Sequence, residues 1–126
     1  MTNAAADSAP ATPSFDGVLA AAKALENQLP VTPAWHYPQL DAVVGATVFL
    51  KHENVQPTGA FKVRGGLSLA AGLPADTLAL VTASTGNHAQ SIAYAARTLG
   101  LKATVVMPVG APDNKVAATR ALGADV

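Results

Sequence analysis

The sequence predicts an α/β chain: a parallel sheet with flanking helices in three layers. Three observations predict it. Two short apolar runs, residues 78–83 and 103–107, are rich in strand formers, and a helical pattern follows each. The connections are a few residues long, which calls for parallel strands and right-handed helical crossovers. Alanine occupies 28 of the 126 positions, a composition that lets helices lie close on a sheet.

The elements follow in order. Residues 1–14 alternate Ala, Thr, Ser and Pro with a single Asp and carry no Lys or Arg, so they read as a disordered tail and lack the positive start of a secretory leader. Residues 15–28 form a helix whose stripe is Val18, Leu19, Ala22 and Leu25, stopped by Pro30 and Pro33. Residues 32–40 are extended or turn-like, because residues before proline avoid the helical region. A short strand covers residues 48–51, a loop residues 53–59, and a helix residues 60–71. Residues 78–83 form a buried strand. The best helix, residues 86–99, has its apolar positions at Ala89, Ile92, Ala93, Ala96 and Leu99 and stops at Gly100. A second buried strand, residues 103–107, ends at Pro108, and Pro112 and Asp113 open a last helix to Leu122. Ala124, Asp125 and Val126 then look like the start of another strand, as expected of a piece of a longer protein.

Composition excludes several functions. Eight basic and eight acidic residues give a formal net charge of +0, which argues against a nucleic-acid or anionic-membrane surface. Half of the residues are hydrophobic, enough for a core, yet no apolar run is long enough to span a bilayer. With no cysteine there is no disulfide framework, thiolate metal site or cysteine nucleophile, which leaves the redox compartment open; the expectation of a cytoplasmic location comes from residues 1–14, which do not resemble a secretory leader. His36, His52 and His88 lack zinc spacing. There is no Gly-Lys-Ser/Thr phosphate loop, GxGxxG fingerprint or Gly-x-Ser-x-Gly elbow.

Two segments hold nearly all the reactive side chains. Ser84-Thr85-Gly86-Asn87-His88-Ala89-Gln90 lies where a strand gives way to a helix, the place where open α/β sheets bind ligands. Its small polar side chains and free N–H groups at a positive helix end suit a carboxylate or phosphate. Plain helix capping accounts for any one of these residues, and His88 alone reads as a hydrogen-bonded first-turn residue. The other segment, residues 51–66, places Lys62 beyond a glycine-containing loop and beside Phe61. A partly desolvated lysine loses its proton and can condense with a carbonyl, although most lysines are simply solvated. Arg64 reads as a charge on the outer helix face, and Lys51, His52 and Glu53 as a polar strand end.

Together these segments resemble a known family. Lys51-His52-Glu53-Asn54-Val55-Gln56-Pro57-Thr58-Gly59-Ala60-Phe61-Lys62-Val63-Arg64-Gly65 is similar to the cofactor-lysine motif of threonine/serine dehydratases, fold type II pyridoxal-phosphate enzymes related to tryptophan synthase β. Ser84 to Gln90 resembles their substrate-carboxylate loop, and Val106-Met107-Pro108 and Pro112-Asp113-Asn114-Lys115 fit their usual run. The resemblance covers residues 15–126, read as the N-terminal part of the catalytic domain. It implies pyridoxal 5'-phosphate as cofactor. By the same resemblance Lys62 holds the cofactor and moves the Cα proton, Phe61 packs on its ring, and Asn87 hydrogen-bonds the ring hydroxyl. Ser84, Thr85, Gly86, Asn87 and His88 then surround the substrate carboxylate.

The implied reaction is β-elimination from L-threonine or L-serine to a 2-oxo acid and ammonia, in a full-length homo-oligomer acting on small amino acids. Thr85 departs from the alanine of many dehydratases and places a hydroxyl where racemases of the family carry serine. A serine racemase-like or other β-replacement activity therefore stays open, as does hydroxyaspartate as substrate. The family's glycine-rich phosphate loop and the residue facing the pyridine nitrogen have no counterpart in these 126 residues. The isolated chain is therefore expected to have little or no activity, and a third reading is an inactive binding domain.

Overall fold

The computed structural model describes residues 12–126. The tail expected over residues 1–14 lies outside the described residues up to position 11. Ser14 already belongs to the first helix, α1 (Phe15–Ala24): it is the N-cap, and its hydroxyl accepts the Gly17 N–H at 3.1 Å. The helix ends four residues before the expected Gln28. Asn27 takes a left-handed backbone at φ 63°, which asparagine tolerates better than most residues, and this reverses the chain before Pro30. The inward stripe also differs. Val18 and Leu19 are more than half exposed, and Leu25 and Leu29 make the contact with the neighbouring helix α3 (Lys62–Ala71).

Strands β1 (Ala34–His36) and β2 (Phe49–Lys51) form an antiparallel ribbon with Trp35 opposite Leu50. A short helix, α2 (Pro38–Val44), connects them, and its first three residues fall in the stretch read as extended or turn-like. Pro38 sits at its start, where the missing N–H costs nothing, and Gly45 closes it at φ 74°. A single 3₁₀ turn, Glu53–Val55, then leads into the loop before α3.

The α/β reading is borne out in the second half. Strands β3 (Ala79–Ala83) and β4 (Lys102–Val106) pair in parallel, with Leu80 beside Ala103 and Thr82 beside Val105. Helix α4 (Asn87–Leu99) is the crossover between them, and α5 (Asp113–Ala121) packs on α4. The strand expected at the C-terminus begins as foreseen. The Val105 N–H donates to the Asp125 carbonyl at 2.7 Å, and the Asp125 N–H to that of Ala103 at 2.9 Å.

The core lies between this sheet and α4: Leu80, Ala103, Val105 and Ala124 against Ala89, Ile92, Ala93 and Ala96. Small side chains along α4 let the helix approach the strands closely, as the alanine content suggests. The strands are buried on one face only. Val81 is 72% exposed and Val106 58% exposed, so they alternate where fully buried runs were expected. Among the described residues no helix covers that outer face. A second cluster, Val63, Leu67, Ala70 and Ala95, joins α3 to the other side of α4.

Candidate functional site

Lys62 is the first residue of α3, and Phe61 is its N-cap without any side-chain cap. The loop before it is tightly folded. The Gly59 N–H donates to the Gln56 carbonyl at 2.7 Å, and Gly59 holds φ +67°, a conformation that favours glycine. Gln56, Thr58 and Ala60 are buried in this turn. Gln56 Oε1 is the one fully buried side-chain oxygen or nitrogen among the described residues that lacks a hydrogen-bond partner. Lys62 itself is exposed, its Nζ 5.4 Å from the centroid of the Phe61 ring. Among the described residues the amine has no hydrogen-bond acceptor and no acidic partner.

Two fixtures hold this lysine in place. The first is ionic. Arg64 donates to both oxygens of Glu53, Nε to Oε2 and Nη2 to Oε1, each at 2.8 Å. The buried Thr32 hydroxyl donates to Glu53 Oε1 at 2.6 Å. Hydrogen bonds from Arg64 and, next, from Thr32 pull the Glu53 carboxyl down to about 2, and the carboxylate raises the Arg64 guanidinium in turn. The Lys51 ammonium donates to the Thr32 carbonyl at 2.6 Å and the His52 N–H to the Pro33 carbonyl at 2.9 Å. Tyr37 and His52 share a hydrogen bond of 2.8 Å, and the Trp35 ring lies 4.6 Å from the His52 ring. The residues read as a polar strand end and an outer-face charge therefore form a brace that ties the loop to the first turn of α3.

The second fixture is a close helix contact. Ser91, fully buried, donates from Oγ to the Lys62 carbonyl at 2.6 Å. Gly66 makes that approach possible, because a Cβ there would lie 2.3 Å from Ser91 Oγ and 2.7 Å from the Ser91 carbonyl oxygen. Ser91 stands one turn inside α4, about 6 Å along the axis from Asn87. The contact thus sets the first turn of α3 against α4 one turn inside its N-terminal end.

At that end of α4 lies the second motif. The Ser84 N–H donates to the Val106 carbonyl at 3.2 Å, which carries the sheet ladder one residue beyond β3. Ser84 Oγ accepts the Gly86 N–H at 3.2 Å and caps no N–H of the helix. Gly86 is the N-cap and provides no side-chain cap, so simple capping does not describe this segment. The first-turn N–H groups of α4 are open toward an anion. Ser84, Thr85 and Gly86 are half-buried, and Asn87 and His88 are exposed.

The Ser91–Lys62 contact joins the first residue of α3 to the residue that follows the Ser84–Gln90 motif. Sequence reasoning missed Glu53, Arg64, Thr32 and Ser91 as part of this arrangement. Ser91 alone left a local trace, a hydroxyl in a helix whose other buried positions are alanine and isoleucine. Among the described residues no three His, Cys, Asp or Glu side chains gather as metal ligands, and no helix is long and apolar enough to cross a membrane.

Known proteins share this arrangement of segments. An L-threo-3-hydroxyaspartate ammonia-lyase from Pseudomonas sp is 50% identical over 115 residues, covering 90% of this chain and 36% of that protein. The crystal structure of a threonine deaminase from T.th. superposes with a TM-score of 0.79 at 43% identity, over 90% of this chain and 36% of that one. Maize serine racemase superposes with a TM-score of 0.85 at 33% identity, over 90% and 35%. The chain thus spans about a third of the length of the relatives it matches. The family model described as "Pyridoxal-phosphate dependent enzyme" matches residues 25–126, a stretch that contains both motifs and both fixtures, and the chain belongs to that family.

Proposed function

We propose that this chain forms the N-terminal part of the catalytic unit of a pyridoxal 5'-phosphate-dependent ammonia-lyase that converts L-threonine or L-serine to a 2-oxo acid and ammonia. The observation that carries the reading is Lys62 itself: its amine is unpartnered, and its backbone carbonyl is bonded to Ser91, one turn inside a helix with no side-chain cap. The residues present fit the cofactor: a free amine suits its carbonyl carbon, and the Phe61 ring, 58% exposed, offers a face for its ring. When bound, the cofactor's ring accepts the electron pair released at the substrate Cα. In this reading Lys62 holds the cofactor, and its amine takes up the Cα proton once the substrate is bound. Phe61 supports the ring and Asn87 binds its hydroxyl. The open N–H groups of α4, with Ser84, Thr85, Gly86, Asn87 and His88, orient the substrate carboxylate. The β-hydroxyl takes a proton and leaves as water, and the enamine released tautomerises to an imine that one water hydrolyses to the 2-oxo acid and ammonia.

Threonine and serine carry the β-hydroxyl this reaction expels, and so does L-threo-3-hydroxyaspartate, the substrate named for the Pseudomonas relative. The three form the substrate panel for the full-length protein. Lys62→Ala is expected to abolish 2-oxo acid formation from all of them, and turnover at the unchanged rate would remove Lys62 from its role. A second reading, racemisation, is favoured by Thr85, whose half-buried hydroxyl sits beside the open helix end. Inverted amino acid in place of 2-oxo acid would establish it. The isolated 126 residues are expected to be inactive. A cytoplasmic setting belongs to the same reading.

A further inference from the structure

We propose that Ser91 is a positioning residue for Lys62, a tether that sets the lysine's height against the helix end of α4. The inference rests on the reading of Lys62 given above. Ser91 is fully buried and touches no substrate position, yet its hydroxyl reaches 29 residues back along the chain to the carbonyl of Lys62 itself. That carbonyl, at the first position of α3, also belongs to the helix ladder, so the backbone of α3 has no structural need of a second donor. A hydroxyl is also a poor filler for the α4 face that meets α3, where Ala95 packs with Val63, Leu67 and Ala70. Gly66 points the same way. It leaves room that the Ser91 side chain and carbonyl enter, at the expense of helix propensity. A serine and a glycine, each unfavourable alone, together hold two helix ends in register. The helix end that would grip the carboxylate and the amine that would take the Cα proton are thereby fixed relative to each other. Displacements of about 1 Å in such a pair cost up to about a hundredfold in rate.

The test uses the full-length protein and Ser91→Ala, a change compatible with the helix and with the site's volume. Two readouts separate positioning from structure. One is the rate at which the cofactor-free protein captures pyridoxal 5'-phosphate at Lys62, followed by absorbance and located by borohydride reduction and peptide mapping. The other is kcat and KM measured separately. The expected result is capture slowed about tenfold and kcat lowered about tenfold, with KM and the thermal midpoint little changed. Capture and kcat equal to wild type overturn the tether, as does a loss that merely tracks the folded fraction. If the wild-type protein captures nothing at Lys62, the reading of the site fails and the tether falls with it. Wild-type capture with an indifferent Ser91→Ala fails the tether alone.

Discussion

Replacing Glu53 by glutamine removes one charge from the brace beside Lys62 and leaves its shape almost unchanged. In the native structure the carboxylate accepts two bonds from Arg64 and one from Thr32, and its pKa falls from the ordinary 4.5 to about 2. Full linkage of that displacement is about 3 kcal/mol. The Arg64 side chain is 36% exposed and that of Glu53 20%, so solvent screening lowers the expected contribution to about 1–2 kcal/mol. The sign follows from the direction of the shift. A carboxyl with a depressed folded-state pKa stabilises the protein above its unfolded value, and the contribution is lost as pH falls from about 4.5 toward 2. Urea unfolding of wild type and Glu53→Gln in the full-length protein, at several pH values from 7 down to 3, reads this directly. The wild type is expected to be more stable by about 1–2 kcal/mol at pH 7, with more than half of the difference gone by pH 3. Equal stability at pH 7, or a difference that does not shrink in acid, would refute the brace.

Two further perturbations test the geometry around the lysine. Gly66→Ala gains about 1 kcal/mol of helix propensity but drives a methyl to 2.7 Å from the immovable Ser91 carbonyl oxygen. Overpacking wins, and a net loss of about 1–2 kcal/mol is expected by urea unfolding; an unchanged or raised midpoint contradicts the close contact. Gly59→Ala meets nothing within 4 Å, so its cost is purely the left-handed backbone at φ +67° and is expected near 1 kcal/mol, measured the same way. A stability gain there would mean that the turn does not hold that conformation.

The parts of the fold that obey a local rule were legible from the residues. Helix α4 carries its apolar period and its Gly100 stop in plain view, and the start of the C-terminal strand followed from a glycine and three residues. Helix α2 was equally marked, by Pro38 at its start and Gly45 at its end, but seven residues are too few for a periodic stripe to outweigh the proline bias toward extended chain. The early end of α1 came from Asn27, whose left-handed backbone no apolar pattern reports. Burial misled in the strands, because Val81 and Val106 are as apolar as Leu80 and Val105 yet face outward. The site divided along the same line. Its motif residues were readable by resemblance, whereas the Glu53–Arg64 and Ser91–Lys62 contacts join positions 11 and 29 residues apart, and only the folded chain makes them neighbours.

The most direct test of the account is chemical. Full-length protein saturated with pyridoxal 5'-phosphate, reduced with borohydride and digested, is predicted to carry the cofactor's mass on the peptide containing Lys62. A label on Lys51, on another lysine or on none would contradict it.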